Sequence, residues 1–253
     1  MPCLFCIYYN NYDVINHIWI LAGFAFYAIA GNTLNDFFDM ENPEDVETLE
    51  RVEGYSRKEI FVLFLCNFVL GNTCFMNPIL ERPVLAIYLA ITVILVVLYC
   101  MFKSLVFINH VLLGVSHMFL PWFMIKINAG NTIIDVFPNL SLDEWMILFS
   151  ASSLAFTGQM LHEQIDGDSI TRFSLKTIQR IVWISAIISM IIGTISLILT
   201  QLFMFMPFVL FPIGLMYIYR KPRDLRGISS LKDIGIIMGN LVFGFVVILI
   251  IAS

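Results

Sequence analysis

Charge is what this chain has least of. Its 253 residues hold 14 Lys and Arg and 19 Asp and Glu, 13% in all, against 59% hydrophobic residues. A soluble domain of that length has neither the interior to bury so much apolar surface nor enough charge to cover it. A mean hydropathy of +0.87 puts the chain in lipid. The net charge of −5 and the lack of a soluble basic domain leave nucleic acid without support as a partner. Cysteine is scarce too, at five. Cys3-Leu4-Phe5-Cys6 has CxxC spacing, but no second pair or nearby His supports a metal site. No glycine-rich phosphate loop occurs. The first apolar run lacks the basic flank and small-residue cleavage site of a signal peptide.

What is present is apolar sequence in lengths that suit a bilayer. A helix needs roughly 20 mostly apolar residues to cross the hydrocarbon core. Eight such runs stand out, at about 14–37, 58–77, 84–102, 105–126, 143–162, 178–199, 202–219 and 233–252. Short connections make them one polytopic all-α membrane domain over 1–253. Ser56-Arg57-Lys58-Glu59 and Ser141-Leu142-Asp143-Glu144 fit capping boxes that open two of the helices.

Cations give the orientation. Of the 14 Lys and Arg, only Arg82 and Lys126 fall in connections on one side of an eight-helix bundle, and the rest share the other. The positive-inside rule makes the crowded side cytoplasmic and puts both termini outside.

The cytoplasmic end of the first run is unusually acidic, with Asp36, Asp39, Glu41, Glu44 and Asp45 within NTLNDFFDMENPED. The fifth run ends on the same side in HEQIDGDSITRFSLKT, residues 162–177. Asp36 and Asp39 are three apart and share a helical face. Carboxylates crowded at one membrane depth repel each other unless a cation joins them. Oxygen-only ligands, few per ion, suit Mg²⁺ completed by water and substrate phosphate. Lys103, Arg51, Arg172 and Lys176 are placed to bind anionic oxygens that the metal leaves uncovered. Metal plus fixed cations is how a site stabilises a departing diphosphate. His110 and His117, seven apart on one helical face, are either hydrogen-bonded core or, with Asn109, Ser116 and Trp122, the lining of an acceptor pocket.

These motifs resemble those of the UbiA superfamily of intramembrane prenyltransferases. Asn35, Asp36 and Asp39 look like its NDxxD motif, Gln164-Ile165-Asp166-Gly167-Asp168 like its DxEGD, and Tyr99 to Lys103 like its YxxxK. The resemblance covers nearly the whole chain. It implies Mg²⁺-dependent transfer of a prenyl group from a prenyl diphosphate to a lipid-soluble acceptor, an aromatic or quinone precursor or a glycerol lipid. Asp36, Asp39, Asp166 and Asp168 would hold metal. Asn35, Arg51, Tyr99, Lys103, Gln164, Arg172 and Lys176 would hold substrate, with Asp36, Asp39, Asp168 and Lys103 catalytic.

Three departures qualify it. The continuation NDxxDxxxD lands on Pro43, and a one-residue insertion is needed to bring Glu44 and Arg51 into the family's places. The leading Asp of the second motif is Gln164, for which Glu163 or Asp166 would compensate. The family's helix before NDxxD has no counterpart among the eight runs. A terpene cyclase of the same superfamily, a non-catalytic member and a cation transporter are the alternatives, although transporter carboxylates usually lie near the midplane rather than at helix ends.

Overall fold

The computed structural model describes residues 1–41, 46–101, 105–134, 136–167 and 169–252. Among the described residues it is mostly helical, and the apolar runs fall largely on helices. The elements are α1 (Pro2–Tyr9), α2 (Ile18–Asp39), α3 (Val46–Arg51), α4 (Arg57–Glu81), α5 (Leu85–Met101), α6 (Val106–Gly114) and α7 (Leu120–Asn128). A two-stranded antiparallel ribbon follows, β1 (Thr132–Ile134) with β2 (Phe137–Pro138). The chain continues with α8 (Leu142–Asp166), α9 (Leu175–Thr200), α10 (Met206–Leu210), α11 (Pro212–Ile218) and α12 (Ser229–Ala252). Among the described residues, five helical stretches are long and apolar enough to cross a membrane: Val14–Asp39, Arg57–Glu81, Phe107–Asn128, Leu175–Thr200 and Ile234–Ala252. Leu85–Met101 and Phe203–Ile218 are apolar but shorter.

Both capping boxes form. Ser56 Oγ accepts from Glu59 N–H while Glu59 accepts from Ser56 N–H, and Ser141 and Glu144 do the same at the head of α8. A short helix precedes the motif helix: α1, eight residues, too few to cross a bilayer, with Cys3, Cys6 and Ile7 buried. One feature differs from expectation: the fourth run is not one α-helix, because Val115–Phe119 winds as a π turn between α6 and α7. Pro121, just beyond, has no N–H to give the carbonyl four residues back, and an i→i+5 turn absorbs that loss.

The chain forms two compact units. The first comprises Met1–Phe102, Val115–Asn139 and Leu241–Ser253. Its main contact is α2 against α4, and small residues set the approach. A Cβ at Gly71 would lie 2.4 Å from the Tyr27 ring and 3.3 Å from the Gly23 carbonyl oxygen. One at Gly23 would meet Phe75 at 2.6 Å. In lipid no hydrophobic driving force separates helix–helix from helix–lipid contact, so this close fit carries the association.

The second unit comprises Lys103–Gly114 and Leu140–Asn240. Helix α8 packs on α9, with α6, α10 and α11 around them. Met160, Ile165, Ile170, Ile178, Val182, Leu215, Tyr219 and Leu225 form a closed apolar core beneath the end of α8. The second acidic motif therefore starts from a fixed platform.

Candidate active site

The first motif lies within the first unit. Helix α2 continues through Asp39, which places Asn35, Asp36 and Asp39 in its last turns. Asn35 Nδ2 donates to Asp39 Oδ2 at 2.7 Å, the i,i+4 contact of a helix. The Arg51 guanidinium, at the end of α3, meets Asp36 Oδ1 at 2.5 Å and also donates to Thr48 Oγ1 at 3.2 Å. Asn35 Oδ1 is buried and has no hydrogen-bond partner among the described residues, an oxygen acceptor beside two carboxylates. Arg57, expected only to mark the cytoplasmic side, also organises this corner. Its Nε donates to Phe37 O at 3.3 Å, its guanidinium lies 4.1 Å from the Phe37 ring centroid, and it pairs with Glu41.

A cavity of about 380 Å³ adjoins this turn. Leu34, one residue before Asn35, lines it, and so do Gly31, Tyr27 and Phe24 along α2. Phe24 and Leu34, ten residues apart on α2, are separated by about 15 Å along the helix axis. Phe64 and Phe68 of α4 and Val93, Val96 and Val97 of α5 complete most of an apolar wall. Polar groups reach the cavity from Tyr27, Thr92 and the π turn, where buried Ser116 shares a 2.8 Å hydrogen bond with His117 Nδ1. Tyr99 is half-buried near the end of α5.

The second motif closes α8 within the second unit. The helix ends at Asp166, and Gly167 caps it with φ +80°, the left-handed conformation that glycine adopts without cost. Asp166 is exposed and pairs with His162 Nδ1 at 2.7 Å. Gln164 is fully buried. Its Nε2 donates to Arg223 O at 2.9 Å, and its Oε1 accepts the Tyr219 hydroxyl. Gly227 N–H donates to Ile165 O at 3.0 Å, so the connection after α11 is fastened along the end of α8. Within it Arg226 holds Asp224 bidentately, and those hydrogen bonds hold that carboxyl below its usual range. Arg172 and Lys176 are exposed just beyond the motif.

Asn35, Asp36, Asp39 and Arg51 are thus brought together in one unit, and Gln164 and Asp166 share one helix end in the other. Lys103, Asp168, Pro43 and Glu44 lie outside the described residues. Among the described residues no group of three or more His, Cys, Asp or Glu converges on one point. Of Asn109, His110, Ser116, His117 and Trp122, Ser116 and His117 line the cavity of the first unit. The π turn intervenes, so a seven-residue spacing no longer returns to the same face. His110 packs in the second unit, His117 lines the cavity of the first, and Trp122 is buried. The tie from Gln164 to Tyr219 and Arg223 had no signal in the sequence, since its partners lie 55 and 59 residues away.

Apolar helices that suffice to cross a bilayer several times, with acid-rich motifs at helix ends, define a multi-pass integral membrane protein. The model of the UbiA prenyltransferase family matches residues 1–231, and the chain belongs to that family. No curated protein and no solved structure matches it.

Proposed function

We propose that this protein is a Mg²⁺-dependent prenyltransferase that moves a prenyl group from a prenyl diphosphate to a lipid-soluble acceptor. Membership of the UbiA prenyltransferase family supports the reaction class. The observation that carries the reading is the junction of the first motif with an apolar cavity. Leu34 lines the cavity, and the next residues along the helix are Asn35 and Asp36. A substrate with a charged head and a hydrocarbon tail needs that adjacency.

The first motif suits Mg²⁺. Its donors are all oxygens, the preference of a hard cation, and the buried Asn35 Oδ1 has a lone pair to offer the ion or a water on it. In the first motif Asp36 and Asp39 would hold metal, and in the second Asp166 and Asp168 would. When bound, Mg²⁺ would neutralise the diphosphate as its bond to the allylic carbon breaks. Arg51 keeps Asp36 oriented and, on binding, turns its remaining donors to the diphosphate oxygens. Lys103, Tyr99, Arg172 and Lys176 contribute the other substrate contacts. The apolar walls keep water from the allylic cation until the acceptor carbon or hydroxyl attacks. Gln164 has both ends of its amide engaged, and its part is to hold the loop rather than the substrate. Lys and Arg asymmetry supports motifs on the cytoplasmic side and termini outside.

The test is to incubate membranes containing the protein with labelled prenyl diphosphates and a lipid extract, with and without Mg²⁺, and identify products by mass. A prenylated acceptor formed only with Mg²⁺ is expected. A cyclic hydrocarbon with no prenylated acceptor would make the protein a cyclase, and intact diphosphate throughout would overturn the enzyme assignment.

A further inference from the structure

Glu163 belongs to none of the recognised motifs, yet it is 2% exposed in a membrane protein and meets two partners from different elements. Its Oε1 stands 3.6 Å from His110 Nε2 of α6. Its Oε2 accepts the Ser169 hydroxyl at 3.1 Å. His110 is itself 5% exposed, with the Phe156 ring edge-on at 4.9 Å. An acid buried in apolar surroundings costs several kcal/mol unless partnered, and apolar residues of the same volume fill space as well or better. Packing alone does not account for the carboxylate.

The sequence positions of the partners do. Ser169 follows Asp168 directly and opens the 3-10 turn Ser169–Arg172. Helix α6 starts at Val106, three residues after Lys103. Glu163 itself stands one turn before Asp166 on α8. One carboxylate therefore meets the 3-10 turn that opens at Ser169, after the second motif, and helix α6, which follows the YxxxK motif in sequence.

We propose that Glu163 is a positioning residue, which braces the second motif's bend through Ser169 and the helix after Lys103 through His110. The inference rests on the functional reading above for what the bend and Lys103 do. Outer partners of a metal site have this effect, and their loss typically weakens metal affinity by about 10- to 100-fold.

The first readout needs no activity. Hydrogen exchange of the detergent-solubilised protein, followed by mass spectrometry, should show Glu163→Ala exchanging roughly tenfold faster at 167–172 and in the first turns of α6, with the middle of α9 unchanged. Glu163→Gln, which still accepts the Ser169 hydroxyl, should protect 169–172 again but leave α6 loosened. Should Glu163→Ala fail to fold, Ser169→Ala and His110→Asn separate the two arms. The second readout is binding of labelled farnesyl diphosphate, where the Mg²⁺ needed for half-saturation should rise about tenfold in Glu163→Ala. Unchanged exchange at 167–172 overturns the brace. A loosened bend with an unaltered Mg²⁺ requirement overturns its link to the site. If the parent binds no prenyl diphosphate under any condition, the proposed function falls, and the exchange data still decide whether Glu163 braces the bend.

Discussion

The side-chain amide of Gln164 donates to the backbone carbonyl of Arg223, 2.9 Å away and 59 residues along the chain. A carboxylate cannot make that bond. The family pattern would favour Asp at 164, but its introduction strands the Arg223 carbonyl and buries a charge. Gln164→Asp should therefore destabilise the protein by about 1–3 kcal/mol, more than Tyr219→Phe at about 1 kcal/mol. Thermal unfolding of the solubilised variants checks the order. An unaltered or raised melting temperature in Gln164→Asp would mean that the amide tie contributes nothing.

Asp36→Ala and Asp39→Ala should each lower product formation by at least about 100-fold, because charge stabilisation of the departing diphosphate amounts to several kcal/mol. Both carboxylates lie at the end of α2, so the fold should persist, as judged by helical circular dichroism. Asp36→Ala also releases Arg51 from its 2.5 Å contact. Near-parental turnover in both variants would remove the first motif from the mechanism.

Close helix contact gives a stability prediction independent of chemistry. Gly71→Leu forces a side chain into the Tyr27 ring and should cost about 1–3 kcal/mol or more by overpacking. Gly239→Leu, where nothing lies within 4 Å, should be nearly neutral. Melting temperatures in one detergent compare the two, and equal values would show that α2 and α4 part without penalty.

Sidedness is tested with introduced cysteines. Glu53→Cys lies in the connection before α4, and Ile133→Cys in the ribbon after α7, and both positions are exposed. A membrane-impermeant thiol reagent should reach Ile133→Cys from outside and Glu53→Cys only once the cytoplasmic face is opened. Native Cys3 and Cys6 are buried and should stay silent. Labelling of both variants from one side would refute the span assignment.

Features written in a few adjacent residues were legible: the apolar runs, the two capping boxes, and the helical face that Asp36 and Asp39 share. Helix α1 was not, because eight residues fall below the length at which an apolar run signals a span. Its burial depends on α7, more than a hundred residues away. Arg57 was counted as a charge and Glu163 as a stand-in for the second motif's leading Asp, and only the folded chain reveals their partners. Gln164 was read as a weakened ligand because the motif alone gives no hint of Tyr219 or Arg223. What a residue does at its own helix is local, and what it fastens is not.

The π turn at Val115–Phe119 works as a phase adjuster. Each residue of an α-helix advances the face by about 100°, so one extra residue in a turn rotates everything after it by that amount. Helix α6, before the turn, meets α8, while α7, after it, meets α1 and α5. Deleting one residue from Val115–Phe119 would straighten the winding and swing Lys126 off its 3.0 Å contact with Asn10. Such a change alters no chemical group in either motif, yet it puts half a helix out of step with its surroundings.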